Sequence, residues 1–124
     1  MLRILKSMAV VAVAGLLASQ AQAADAKKGA TVFQRCAICH SNTKGAGAKI
    51  GPNLFGVVGR KAGTMPDFPY SAAMKSAGFV WTPDKLMAYV QHPQQVVPGN
   101  RMAFAGITSQ KDAHELVEYL QTLK

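Results

Sequence analysis

Six glycines and three prolines fall between Lys44 and Pro69. Gly45, Gly47, Gly51, Gly56, Gly59 and Gly63 are interleaved with Pro52, Pro66 and Pro69, and so many breakers exclude a long helix there. An irregular stretch of about 25 residues is uncommon in a small domain unless it is functional or disordered. Its apolar members Ile50, Leu54, Phe55, Val57 and Val58 argue against disorder, because they need a surface to pack on. The chain has 124 residues, 49% hydrophobic but only 7% aromatic. That is enough for one domain with a thin core. A non-protein body is therefore expected to fill part of the core.

The first 23 residues read as a secretory leader rather than as part of the fold. Arg3 and Lys6 give a basic start, Met8 to Leu17 is an uncharged apolar run of ten, and Ala21-Gln22-Ala23 is a small-residue cleavage site. A membrane-spanning helix needs ~20 consecutive apolar residues, so this run is too short. Cleavage before Ala24 leaves residues 24–124 as a single domain of 101 residues, expected to be soluble and exported to a periplasm. The whole chain carries +8 from 14 basic and 6 acidic residues; two basic residues leave with the leader, so the mature charge is +6. Such a surplus suggests an acidic partner. The charge is scattered and no nucleic-acid recognition motif is present, so nucleic acid is not the expected partner.

The rest reads as helix, long loop, short helices, helix, with no convincing strand pair. Asp25 is placed to cap a first helix running to about Arg35, with Ala26, Gly29, Ala30 and Phe33 on one face. A short helix is expected around Ser71–Ala77. Thr82-Pro83-Asp84 combines a hydroxyl cap, proline at the first position and an acid in the first turn. That helix should stop at Pro93. Ser109 and Asp112 resemble a capping box ahead of Ala113, Leu116, Val117 and Leu120, spaced as an amphipathic terminal helix.

Cys36-Ala37-Ile38-Cys39-His40 supplies the missing body, since Cys-x-x-Cys-His is the attachment pattern for a c-type haem. On a helix Cys39 and His40 lie at about 300° and about 40° from Cys36, so all three share an arc of about 100°. Two thiols can bond to the haem rim while the imidazole reaches iron from the same side. A thioredoxin-like dithiol needs a βαβ context. A zinc site needs two more ligands near each other, and the other histidines, His92 and His114, are far apart. A plain disulfide leaves His40 and the apolar loop unexplained.

A second axial ligand separates electron transfer from ligand chemistry. The candidates are Met65, Met74, Met87, Met102, His92 and His114. Met74 and Met87 sit at helical positions suited to core filling. His114 is read as a surface residue of the last helix, and His92 as a solvated or capping residue at a helix end. Met65 lies in the loop, and pattern alone leaves it open. Met102 lies in Pro98-Gly99-Asn100-Arg101-Met102-Ala103-Phe104-Ala105-Gly106, an extended segment with an apolar centre.

With these features assembled, residues 25–124 resemble a class I cytochrome c, of the soluble monohaem bacterial type similar to the mitochondrial protein. The resemblance rests on Cys36 to His40, on Gly51-Pro52-Asn53-Leu54-Phe55-Gly56 with Gly59-Arg60-Lys61, on Tyr70, Trp81 and Tyr89, on Pro98 to Ile107 and on Leu116 to Leu120. It implies an all-α fold of three to five helices and long loops around one covalently bound haem c, with the first and last helices crossing. Cys36 and Cys39 would form the thioethers. His40 would be the proximal iron ligand, oriented by the Pro52 carbonyl, and Met102 the distal ligand with Tyr89 near its sulfur. Arg60, Tyr70 and Trp81 would surround the haem propionates, and Phe104 would contact the cofactor. Gly29 and Phe33 would pack on Leu116 and Tyr119.

Three departures from the mitochondrial pattern stand out. Met74 stands in place of Asn, and Asn100 in place of the Thr beside the ligand loop. Gln94, Thr108 and Ser109 stand where relatives often carry Lys. The basic ring at the haem edge would then rest on Arg35, Lys49 and Arg101, with Lys44 and Lys61 nearby. The resemblance implies a monomeric electron carrier rather than an enzyme. It would dock on acidic surfaces of a cytochrome bc1-type complex, a terminal oxidase or a periplasmic oxidoreductase. The alternative is a haem-based ligand sensor or a peroxidase-like enzyme opened by loss of the axial Met.

Overall fold

The computed structural model describes residues 2–124, with side chains from Val13 onward. Six helical segments follow one another: α1 Leu2–Val32, α2 Gln34–Ala37, α3 Ala72–Lys75, α4 Pro83–Gln91, α5 Pro93–Val96 and α6 Gln110–Gln121. The only pairing of extended chain among the described residues is a single antiparallel bridge between Lys61 and Val80. The expected helical class therefore holds, with α2, α3 and α5 as segments of four residues each.

The start of the first helix differs from the expectation. α1 runs unbroken through the leader and past Asp25, which is a helix-interior residue here and not a cap. Ala21 to Ala24 contain no breaker and are mostly alanine, the best helix former, so nothing local stops the helix. The Asp25 carboxylate instead lies 3.4 Å from Nε2 of His114 on α6. Residues 13–24 are exposed, with Val13, Leu16 and Leu17 each more than half accessible, so this part of α1 adds nothing to the core. Arg3, Lys6 and the first part of the apolar run lie outside the residues whose side chains are described. Among the described residues no helix is long and apolar enough to cross a membrane.

The other helix starts follow their local chemistry. The Ser71 side chain accepts from the Met74 N–H, that of Thr82 from Lys85, and that of Ser109 from Asp112. Each satisfies an amide that has no partner within its helix. Asp112 does not complete the reciprocal half of a capping box: its carboxylate is 3.0 Å from Arg35. Proline ends α4 as expected, but Pro93 also begins α5, because its fixed φ suits a first helical position.

The core forms where α1 and α4 each pack on α6. Phe33, Leu86, Ile107, Ala113, Leu116 and Leu120 are all nearly inaccessible. The rings of Phe33 and Tyr119 lie 5.4 Å apart across the α1–α6 crossing. Gly29 is required there, since a Cβ on it would stand 1.9 Å from the Glu115 carbonyl oxygen and 2.7 Å from Cβ of Tyr119. Alanine favours a helix over glycine by about 1 kcal/mol, yet here it must push two backbones apart. Overpacking costs about 1–3 kcal/mol and occasionally more. Gly29→Ala is accordingly expected to lower the thermal midpoint by roughly 5–10 °C, at about 4–8 °C per kcal/mol of net loss. A midpoint at or above that of the parent would show that the crossing yields freely.

Between α2 and α3 the chain is irregular, as the breakers demand, yet its backbone is well partnered. Gly56 N–H donates to the Leu123 carbonyl, Gly59 N–H to Trp81 and Ala62 N–H to Phe79. Tertiary hydrogen bonds do here what a helix or sheet ladder does elsewhere.

Candidate haem-binding site

The Cys-x-x-Cys-His segment occupies α2 and the turn that follows. Cys39 N–H and His40 N–H both donate to the Cys36 carbonyl, at 3.0 and 2.9 Å. This tight turn groups the three side chains as the helical spacing predicts. Both cysteines are free and half-buried. Burial pushes the Cys36 thiol up to about 11, opposed by Arg35 and assisted by Cys39. It is therefore a protonated thiol in the bare polypeptide at neutral pH.

His40 is fixed by its neighbours in the loop. Its Nδ1 lies 2.7 Å from the Pro52 carbonyl oxygen. A carbonyl only accepts, so Nδ1 carries the proton and Nε2 keeps its lone pair. Burial holds the imidazole below its usual range, against the Pro52 bond, which raises it; the Arg60 and Lys49 charges lower it further. A neutral ring results. Gly51 forms the wall beside it: a Cβ there would come within 2.4 Å of the ring, while Gly51 N–H ties the loop to the Cys39 carbonyl at 2.8 Å.

Met102 lies on the extended segment after α5. The Tyr89 hydroxyl on α4 is 3.9 Å from its sulfur. Burial pushes Tyr89 up to about 12, so the phenol stays protonated and can donate to the thioether. The Met102 N–H donates to Asn100 Oδ1 at 2.9 Å. The other candidates are placed differently. Met74 is buried in the core and Met87 packs against it, as their helical positions suggest. Met65 is half-buried in the loop, its N–H donating to the Tyr70 hydroxyl at 3.2 Å. His92 is exposed between α4 and α5, and His114 is exposed beside Asp25 and Glu118.

Arg60, Trp81 and Phe104 each sit in different surroundings. Arg60 donates from Nη2 to the Asn53 carbonyl at 2.9 Å and from Nη1 to that of Phe55 at 3.5 Å. Burial lowers its pKa, with Tyr70 and Asp67 opposing that, and no carboxylate lies within 4 Å of it among the described residues. Trp81 is buried, its ring 4.8 Å from those of both Phe79 and Tyr89. Phe104 is half-buried, beside His92, Pro93 and Gln94. The donor set fits a haem c: two thiols and a neutral imidazole on one turn, a soft thioether on a separate strand of chain, and half-buried apolar residues such as Leu54, Val90 and Phe104.

Two structural contributors carry no role in the sequence reading. Asn53 is buried, with Nδ2 donating to the carbonyls of Thr43 and Ala46 and Oδ1 accepting the Phe55 N–H. It braces the loop that carries Pro52. An Asn directly after Gly51-Pro52 in a loop is the available signal for this. Gln94 bonds the backbone of Gly99 and Asn100, although from sequence it registers only as a missing lysine. The expected basic ring is also thinner in practice. Arg35 pairs with Asp112, and Lys49 Nζ donates to the Ala37 carbonyl at 2.9 Å.

An all-helical chain with this attachment turn and a half-buried, oriented histidine defines a c-type haem protein. The family model for cytochrome c matches residues 26–124. A cytochrome c2 of Agrobacterium tumefaciens is 46% identical over 99 residues, covering 77% of this chain and 89% of that protein. A cytochrome c of Stellaria longipes is 46% identical over 98 residues, covering 78% and 91%. The solved structure of cytochrome cH from Methylobacterium extorquens is similar with a TM-score of 0.74 at 35% identity, covering 78% of this chain and 97% of that one. The chain belongs to the cytochrome c family. It is accordingly an electron carrier with a covalently attached haem c, and not an enzyme.

Proposed function

We propose that this protein is an exported, monomeric electron shuttle, with His40 and Met102 as the two axial ligands of one haem held through Cys36 and Cys39. The observation that carries this reading is the Tyr89 hydroxyl aimed at the Met102 sulfur at 3.9 Å. A thioether has two lone pairs, so one can accept the phenol's hydrogen bond while the other serves iron. On the opposite ligand, the Pro52 carbonyl commits His40 Nδ1 and leaves Nε2 for the metal. When bound, the haem supplies a one-electron step between ferric and ferrous iron.

The chain's own residues would tune and direct that step. A neutral thioether and an apolar surround disfavour the additional ferric charge and raise the potential. Half-buried Arg60, with carbonyl partners and no acid within reach among the described residues, is suited to a haem propionate, with Tyr70 and Trp81 close by. Exposed Lys44, Lys61 and Arg101 would steer the protein onto acidic surfaces of a cytochrome bc1-type complex, a terminal oxidase or a periplasmic oxidoreductase, with salt-sensitive rates. The leader, cleaved before Ala24, would deliver it to the periplasm.

The oxidised holoprotein at neutral pH should show the near-infrared band of Met-ligated ferric haem. The exported form should begin at Ala24 by mass. Absence of the band together with rapid carbon monoxide binding to the ferrous protein would favour the sensor or peroxidase-like alternative.

A further inference from the structure

The segment carrying Met102 has no regular structure from Arg101 to Ser109, so its position depends on what ties it down. On the C-terminal side, Ile107 N–H donates to the Val90 carbonyl at 2.8 Å. Gly106 lies hard against α4, where a Cβ would stand 2.2 Å from the Gln91 carbonyl oxygen. The N-terminal side is held by side chains. Buried Asn100 donates from Nδ2 to the carbonyls of Pro93 and Val97, both at 3.0 Å, and its Oδ1 accepts the Met102 N–H. Gln94 on α5 then closes over the outside. Its Oε1 accepts the Gly99 N–H at 3.1 Å and its Nε2 donates to the Asn100 carbonyl at 2.9 Å.

One exposed side-chain amide thus pairs with the backbone on both sides of the Gly99–Asn100 peptide, as a neighbouring strand would. The turn it holds needs such a tie. Gly99 adopts φ +86°, a region in which glycine is unrestrained, so the turn has little stiffness of its own. If it rotates, Asn100 turns with it and releases the Met102 N–H. Gln94 is exposed, so its contribution to the turn is bonding rather than core packing.

We propose that Gln94 is a positioning residue for the axial thioether: it holds Asn100, Asn100 holds Met102, and the strap so formed sets how often the distal position opens. The inference rests on the reading of Met102 as the distal ligand. It adds a reason why this chain behaves as a carrier rather than as a ligand-binding protein, since an incoming ligand must wait for the strap to lift.

The test is titration of the ferric holoprotein with imidazole, which competes for the distal position, in the parent, Gln94→Ala and Gln94→Glu. Without imidazole, Gln94→Ala should retain the near-infrared band. It should bind imidazole about tenfold more tightly, the shift expected when a pair of modest hydrogen bonds is lost from the closed state only. Gln94→Glu keeps the acceptor for Gly99 but loses the donor to Asn100, and should fall between. The Met102 amide should exchange its hydrogen faster in both, and the denaturant midpoint should fall modestly, because the same bonds are lost from the native state. Imidazole affinity within twofold of the parent in Gln94→Ala overturns the proposal. So does an equal gain in Gly29→Ala, whose stability loss lies at the α1–α6 crossing and leaves the strap bonds intact. Met102→Ala separates the two ideas. If Met102 is not the ligand, that variant keeps the band and the parent's imidazole affinity. If only the strap idea fails, it loses the band while Gln94→Ala behaves as the parent.

Discussion

Met102→Ala should abolish the near-infrared band of the oxidised protein, open the iron to carbon monoxide in the reduced protein and lower the reduction potential. The drop should be on the order of 0.1–0.3 V, within the span of about 0.8 V that axial ligands command. The physical reason is direct. The thioether is neutral and soft, so it favours ferrous over ferric iron. Alanine leaves the position to water or an adventitious donor that stabilises the ferric state. Met65→Ala is the control and should change neither spectrum nor potential, because Met65 sits in the loop with its N–H bonded to Tyr70. An unchanged band and potential in Met102→Ala would refute the ligand assignment.

Cys36→Ala/Cys39→Ala should show no sharp thermal transition. Among the described residues, only Ile107 and Leu116 are both large and fully buried. Leu54, Tyr70, Met87, Val90 and Phe104 are only half-buried where they pack on the core. Removing both thioethers removes the covalent hold on the group that these residues are suited to cover, and a domain of about 100 residues has little stability to spare. The expected result is a broad, non-cooperative loss of helix signal on heating. A sharp transition near that of the parent would mean that the polypeptide core suffices alone.

What is legible in the sequence follows the range of the interactions involved. The caps at Ser71, Thr82 and Ser109 bond amides three residues on, so type and spacing reveal them. The haem attachment turn is equally local, closed by bonds from Cys39 and His40 to the Cys36 carbonyl. Gly29 as a close-approach residue follows from the resemblance and agrees with the structure. The pairing of Asp25 was not legible, because the acid's partner, His114, lies on the last helix. Likewise the partner of Arg35 is 77 positions away. Such pairs leave no periodic trace.

Asn100 shows the division within one residue. As a departure from Thr it marked the ligand loop as unusual, but nothing in its neighbours said that its amide would turn inward to three backbone groups. Gln94, a surface glutamine by pattern, acquires meaning only from the two peptide groups it meets.

By itself, then, the sequence determined that this is one helical domain built around an attached haem, because thiol spacing, caps and breakers act within a turn or two of chain. The tertiary structure alone decided which cations are already paired and how an irregular loop satisfies its backbone. Those outcomes depend on groups distant in sequence arriving within about 3 Å of one another, and only the packed core sets such distances.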